Sequence, residues 1–192
     1  RPAGNAGKTE RGAVASRIIV PDRQQQPAVR SLEKKSLDIA AEPHGSQKFR
    51  LAIRTGKRIV DRLMDKNILG SKTLLGHCIY VNPHEMELIK ETDTMVVHNP
   101  ESNMGNACGC PPTMEIVHRG ILTGLGTDGY TQDILESYKV ANVLHKHHLC
   151  DANAAWGEVP QMLFEGNAKI ANRYFKKQLG VLKEGAAADV IV

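Results

Sequence analysis

Long apolar runs and an amino-terminal secretion signal are both missing from this sequence. A helix that crosses a membrane needs about 20 consecutive, mostly apolar residues, and a secretory signal needs a charged start followed by a short apolar core. Because neither pattern occurs, the sequence predicts neither a membrane span nor secretion. We therefore expect a cytoplasmic protein.

Cysteine is scarce, and its spacing excludes the usual structural uses. The four cysteines are Cys78, Cys108, Cys110 and Cys150, and no two of them form a Cys-x-x-Cys pair. Cys108 and Cys110 are too close for an ordinary disulfide and lack the spacing of a zinc ribbon. Cys78 lies in an apolar run and is expected to be a small buried side chain. Reduced thiols again fit the cytoplasm.

Aromatic residues make up only 4% of the chain, and it has no compact block of Lys and Arg. The net charge of +4 is nevertheless uneven, because residues 1–55 contain eleven basic and five acidic residues. A basic leader of this kind is one way to bind nucleic acid or a membrane surface. Without clustered basic residues or interleaved aromatics, we expect no partner of either kind.

Residues 1–55 also lack hydrophobic periodicity. They contain a run of three Gln and four scattered prolines, and only Ser31–Ala41 has a weakly helical pattern. His44 lies in Glu-Pro-His-Gly, which is typical of a turn. Two interpretations stay open for this leader: a disordered segment, or a stretch of unrelated origin such as a reading-frame slip.

From Gly56 onward, apolar runs alternate with helical patterns. The runs predict buried strands over Thr73–Val81, Thr94–Asn99 and Ile121–Thr127. The patterns predict helices around Ile59–Met64 and over Pro83–Glu91, Pro112–Arg119, Asp133–His148 and Pro160–Phe175. Strands and helices that alternate through short loops indicate an α/β fold in which adjacent parallel strands are joined by right-handed crossovers.

Polar residues lie in or directly after each predicted strand. They are His77, then His98, Asn99, Ser102 and Asn103, and finally Asp128. Ligand sites of α/β proteins lie at the carboxyl ends of strands, so we take these six as candidate site residues. Structural alternatives stay open: an Asp before Gly is often a turn residue, a single strand His is often a hydrogen-bonded core residue, and the Asn and Ser residues also suit capping.

The other histidines and the single tryptophan are assigned structural roles. His145 and its neighbours end a long predicted helix, where cationic side chains suit the helix dipole. His84 and His118 are expected to be exposed, and Trp156 is expected to pack in the following loop.

Four motifs in a fixed order resemble the metal-dependent amidohydrolase superfamily. They are Gly76-His77-Cys78, His98-Asn99-Pro100-Glu101-Ser102-Asn103, Gly126-Thr127-Asp128-Gly129 and Glu184-Gly185-Ala186-Ala187-Ala188-Asp189. The likeness covers residues 56–192 and is strongest to the cytosine deaminase, chlorohydrolase and guanine deaminase branch. Within that branch it is strongest to aminohydrolases found near selenium-metabolism genes.

This resemblance implies a fold and a domain organisation. The three strands would be the sixth to eighth of a (β/α)₈ TIM barrel, with residues 56–178 in the barrel and 179–192 starting a strand of a small β-sandwich. A complete barrel takes about 250 residues, so we expect a fragment, the carboxyl-terminal half of a barrel. The parent protein is expected to be a homodimer that takes a small-molecule substrate.

The resemblance also assigns roles to the candidate residues. Asp128 would ligate a divalent metal, zinc or iron, and take a proton from the bound water, while His77 would be a weak ligand that orients water or substrate. His98, Asn99, Ser102 and Asn103 would contact substrate. The His-x-His and fifth-strand His that complete the family's metal site are missing, since the only His-x-His, at 145–147, is in a predicted helix.

The function implied is hydrolysis of a non-peptide C–N bond, in which a metal-bound hydroxide deaminates a heterocyclic or guanidine-like carbon. With the remaining metal ligands absent, we expect this chain to be inactive alone. The alternative is a non-catalytic half-barrel that serves as a binding or assembly module, with the basic leader as its contact arm.

Overall fold

The computed structural model describes residues 18–19 and 55–187. Three sequence predictions lie outside these residues: the rest of the leader, the weak helix at Ser31–Ala41, and the returning strand at the carboxyl terminus. Within the described residues, no helix is long and apolar enough to cross a membrane.

Short strands and helices alternate through the described range. The strands are β1 (Ile18–Ile19), β2 (Leu74–Gly76), β3 (Met95–His98) and β4 (Thr123–Leu125). The helices are α1 (Ile59–Asp65), α2 (Pro83–Glu91), α3 (Pro100–Gly105), α4 (Thr113–His118), α5 (Ile134–Leu149), α6 (Glu158–Pro160) and α7 (Asn167–Ala171). A π-helical segment, Gln161–Gly166, joins α6 to α7.

One sheet carries all four strands in the order β1-β2-β3-β4. The pairs β2–β3 and β3–β4 are parallel, with Leu75 opposite Val96 and Val97 opposite Gly124. This confirms the predicted order and direction of the three strands. The antiparallel β1 was not predicted, because a pair of residues is too short to produce a recognisable periodicity.

The strands are shorter than the apolar runs that predicted them. β2 ends at Gly76 because His77 and Cys78 have φ values of 68° and 47°, in the left-handed region. Residues other than Gly seldom adopt this conformation, so the prediction of a strand continuing to Val81 was wrong. The turn brings the His77 side chain to the carboxyl edge of the sheet.

Two of the predicted helices begin at residues whose side chains cap them. Asn82 and Glu85 form a capping box that starts α2, and Asp133 accepts hydrogen bonds from the backbone of the first turn of α5. The helix predicted over Pro160–Phe175 is instead divided by the π-helical segment. There Gly166 packs directly on the carbonyl of Thr123, a close approach that a side chain would block.

Helix α3 was not predicted, because its polar residues have no apolar helical period. It begins at Pro100, a residue whose fixed φ suits the first helical position, and its backbone bonds include Asn103 N to Asn99 O at 3.0 Å. Two apolar clusters enclose the sheet and its helices. One joins α1 and α2 to β2 and β3, and the other joins β4 to α4, α5 and the π-helical segment.

Candidate active site

Five of the six candidate residues meet where the parallel strands end. His77 follows β2, Asn99 follows β3, Ser102 and Asn103 lie in α3, and Asp128 follows β4. Their side chains form one hydrogen-bonded group, which we call the strand-end cluster. The parallel register explains the meeting, because the carboxyl ends of parallel strands share one edge.

Two carboxamides orient the His77 ring. Its Nδ1 lies 2.6 Å from Asn103 Oδ1, and an amide oxygen only accepts, so Nδ1 carries a hydrogen. Asn99 Nδ2 lies 3.4 Å from His77 Nε2. The ring is therefore oriented with Nδ1–H toward Asn103 and Nε2 toward the rest of the cluster.

Asp128 is held in place from both of its oxygens. Ser102 Oγ donates to Oδ2 at 2.8 Å, and the backbone N–H of Gly129 donates to Oδ1 at 2.7 Å. Oδ2 also lies 3.3 Å from His77 Nε2. A carboxylate oxygen and an imidazole lone pair are both acceptors, so this approach is favourable only when a proton or another cation lies between them.

The spacing of these two atoms suits a metal ion. Ligands at zinc–nitrogen and zinc–oxygen distances of about 2.0–2.1 Å in a tetrahedral site lie about 3.3–3.4 Å apart, and the His77–Asp128 separation is 3.3 Å. Within the described residues, no group of three or more His, Cys, Asp or Glu is placed to hold a metal. An imidazole nitrogen and a carboxylate oxygen at this separation are donors that suit zinc, so the pair fits as part of a metal site that needs further ligands.

The backbone around the cluster is strained and closely packed. Asp128 has a φ of 53°, so both residues of the His77–Asp128 pair are in the left-handed region. Non-Gly residues in such conformations cost on the order of 1–3 kcal/mol and concentrate at functional sites. Gly126 packs against Asn99 Oδ1 so closely that a Cβ would collide with it.

His98 does not join the strand-end cluster. Its Nε2 lies 3.1 Å from Nε2 of His145, and His145 Nδ1 lies 3.6 Å from Cys110 Sγ. We call these three residues the helix-side cluster, since α5 supplies its central member. The role predicted for His145, a cationic side chain at a helix end, was wrong, because this side chain is almost fully buried and its pKa is lowered to about 4.

Burial keeps the helix-side cluster neutral. It lowers the pKa of His98 well below its usual value, with smaller contributions from His145 and His77. It also lowers the pKa of His145 to about 4, helped by His148, and raises that of Cys110 to about 11. The Cys110 thiol can then donate to His145 Nδ1, and His145 Nε2 to His98.

A second buried hydrogen bond links α5 to α3. Ser137 Oγ donates to Glu101 Oε2 at 2.8 Å, and neither residue was a candidate. The signal that would reveal this face of α5 is the spacing of Ser137, Ala141 and His145, which falls on one side of a helix.

Two further histidines and the tryptophan lie at the surface. His84 and His118 are exposed, as predicted, and they pair with Asp61 and Glu158. The packing role predicted for Trp156 was wrong, because the residue is 64% exposed.

Comparison with known proteins gives the chain's family. A model described as the Amidohydrolase family matches residues 25–192. The 5'-deoxyadenosine deaminase of Methanopyrus kandleri is 34% identical over 141 residues, which is 71% of this chain and 32% of that protein. The 5-methylthioadenosine/S-adenosylhomocysteine deaminase of Thermococcus kodakarensis is 33% identical over 144 residues, 72% of this chain and 33% of that protein. The chain thus spans about a third of the length of these curated relatives.

Solved structures give the fold. An adenosine deaminase from Xanthomonas campestris with bound zinc superposes with a TM-score of 0.68 and 24% identity over 84% of this chain and 38% of its own. A triazine hydrolase from Arthrobacter aurescens gives 0.65 and 20% over 76% of this chain and 34% of its own.

The chain therefore belongs to the amidohydrolase family, and the predicted partial barrel is confirmed. The family match begins at residue 25, earlier than the start predicted at Gly56. The named relatives are enzymes, which favours the catalytic interpretation over the half-barrel binding module. The narrower likeness to aminohydrolases near selenium-metabolism genes stays a prediction.

Proposed function

We propose that this amidohydrolase chain supplies one side of the active site of an aminohydrolase. The reaction would release ammonia from an aminated heterocyclic or guanidine-like carbon. The observation that carries the proposal is the 3.3 Å approach of His77 Nε2 to Asp128 Oδ2. Two acceptors whose other atoms are each held by hydrogen bonds are arranged to share a cation.

His77 and Asp128 would hold a divalent metal together with ligands from outside the described residues. Zinc and iron both accept imidazole and carboxylate donors, and the Xanthomonas campestris deaminase contains zinc. When bound, the metal would lower the pKa of a water molecule and polarise the carbon–nitrogen bond under attack.

The chain's own residues would orient and move protons. Ser102 and the Gly129 N–H fix both oxygens of Asp128, which keeps one lone pair free to accept a proton from water. Asn103 holds the His77 ring with Nε2 facing the site. The Asn99 carboxamide, beside Nε2, would contact the substrate and help to orient it.

Direct contact with the substrate, the role predicted for His98, does not fit its position. The side chain is 1% exposed and bonded to His145, so it would influence the substrate through its neighbour Asn99 rather than by contact. The division into a leader (1–55), barrel residues (56–178) and the start of a β-sandwich (179–192) also remains a proposal.

The named relatives suggest the substrate class. They are deaminases of 5'-deoxyadenosine and of 5-methylthioadenosine or S-adenosylhomocysteine, all of which carry an adenine amino group. We therefore propose an adenosine-like nucleoside whose exocyclic amine leaves as ammonia. An aminated triazine would be assayed beside the nucleoside as a second substrate, since a triazine hydrolase has the same fold.

An assay of ammonia release tests the proposal. The chain would be combined with the amino-terminal portion of a family member, which supplies His-x-His and the fifth-strand His, and loaded with zinc or iron. We expect ammonia in equal amount to deaminated 5'-deoxyadenosine, a large loss in His77→Gln, and full activity in the exposed matched variant His84→Gln.

Two results would contradict the proposal. One is the absence of ammonia release from both nucleoside and triazine in a folded, metal-loaded protein. The other is equal activity in His77→Gln and His84→Gln.

A further inference from the structure

We propose that α5 is the positioning element of the active site, acting through Ser137 and His145. These two residues would fix the orientation of the segment 98–105, which presents Asn99, Ser102 and Asn103 to the strand-end cluster. The inference rests on the proposed function only for the roles of His77 and Asp128, since the contacts themselves need no metal or substrate.

The first anchor is the bond between Ser137 and Glu101. Ser137 is fully buried, and its Oγ lies 2.8 Å from Glu101 Oε2. A buried carboxyl group that loses its hydrogen-bond partner is strongly disfavoured. The bond to Ser137 therefore holds the Glu101 side chain in place. Because Glu101 lies in α3, the same bond fixes the orientation of α3 about its own axis.

The second anchor lies two turns later on the same face of α5. His145 Nε2 contacts His98 Nε2 at 3.1 Å, one residue before Asn99. Between the two anchors, Ala141 is fully buried. His98 Nδ1 has no hydrogen-bond partner among the described residues, so the bond to His145 is the polar contact that orients this ring.

The segment therefore has two faces with different partners. His98 and Glu101 face α5, while Asn99, Ser102 and Asn103 face His77 and Asp128. In so short a helix, rotation of one face moves the other by the same angle. A shift of the α5-facing side chains would therefore displace Asn99, Ser102 and Asn103. A displacement of about 1 Å in a catalytic arrangement can reduce the rate by about a hundredfold.

The hydrogen bond at His77 Nδ1 is the most direct readout. The Asn103 carbonyl accepts from the Nδ1–H whether or not Nε2 carries a proton, so a shift of Asn103 should weaken this bond. The full chain, labelled with ¹⁵N in histidine, would be studied without metal by NMR detection of the ring N–H groups. In the unmodified chain we expect a slowly exchanging His77 Nδ1–H resonance.

Variants at each anchor should loosen this arrangement. In Ser137→Ala, which removes only Oγ, and in His145→Met, which removes both ring nitrogens, the His77 Nδ1–H should exchange its hydrogen faster. The Asn103 amide, bonded to Asn99 O, should exchange its hydrogen about five to ten times faster, as expected for loss of one buried hydrogen bond. His145→Gln, which keeps a donor near the Nε2 position, should restore most of the unmodified behaviour.

The control is Val143→Ala, a truncation on the exposed face of α5 that should leave both readouts unchanged. Unchanged exchange of the His77 Nδ1–H in a folded Ser137→Ala variant would overturn the proposal, whatever the His145 variants do. Equal changes in Val143→Ala would overturn it too, because they would show general loosening of the helix.

The result is independent of catalysis. Failure of the ammonia assay leaves these readouts interpretable, and unchanged readouts leave the assay interpretable.

Discussion

His77 and His98 are both buried histidines at the ends of neighbouring parallel strands, but their surroundings differ in kind. His77 is 4% exposed and faces a carboxylate and two carboxamides. His98 is 1% exposed and faces a second imidazole, which in turn contacts a thiol. The strand-end cluster thus presents acceptors that a cation would join, whereas burial keeps the helix-side cluster uncharged.

The comparison shows that the partners of a histidine, rather than its burial, indicate its function. An acidic partner stabilises a proton or metal at the imidazole. Neutral partners in a buried setting lower the pKa and keep the ring uncharged, as they do for His98 and His145. Strand geometry separates the two environments, because successive side chains at the end of β3 point to opposite faces of the sheet.

The largest effect should follow removal of the charge at Asp128. In the metal-loaded, reconstituted barrel, Asp128→Asn keeps the shape of the side chain but removes the negative charge and the proton-accepting role. We expect kcat/KM for ammonia release to fall by about 10²–10⁴-fold. Asp151→Asn, at an exposed position, is the matched control and should be silent. A loss of kcat/KM in Asp128→Asn no larger than that in Asp151→Asn would show that Asp128 is only a turn residue.

Much of the strand-end cluster could be predicted, because its residues lie in polar motifs at the ends of apolar runs. The turn at His77 and Cys78 could not, since both are non-Gly residues in left-handed conformations. His98 was grouped with Asn99 although adjacent residues at a strand end alternate in direction. His145 was misassigned because a histidine near a helix end also suits the helix dipole, and the two-residue β1 has no readable period.

A smaller effect is expected from the residue that orients His77. Asn103→Ala removes the acceptor for Nδ1–H but leaves both proposed metal ligands in place. Loss of such an orienting contact typically reduces metal affinity by about 10–100-fold, which competition with a chelator would measure in the reconstituted barrel. Asn153→Ala, at an exposed position, should have no effect. An affinity unchanged in Asn103→Ala would mean that His77 needs no orienting partner.

The smallest effect should be a loss of folding stability at acid pH, caused by the helix-side cluster. The folded pKa of His145 is about 4, against 6.5 for an unperturbed imidazole, and the pKa of His98 is lowered as well. As the pH falls below 6.5, the unfolded chain therefore binds protons before the folded chain does. The free energy of unfolding should fall, by up to about 1.4 kcal/mol per pH unit for each group.

Urea denaturation at a series of pH values would measure this slope. His145→Gln should flatten it, whereas the exposed His84→Gln should not. A slope that is identical in the two variants would show that the helix-side imidazoles do not resist protonation.

Zinc calorimetry on the reconstituted barrel would show whether His77 and Asp128 are adjacent ligands of one metal. We expect one tight site per chain, with affinity reduced in both His77→Ala and Asp128→Ala and retained in His145→Gln, because each alanine removes one ligand. Undiminished zinc affinity in both alanine variants would contradict this expectation and would leave the strand-end cluster as a structural hydrogen-bond network.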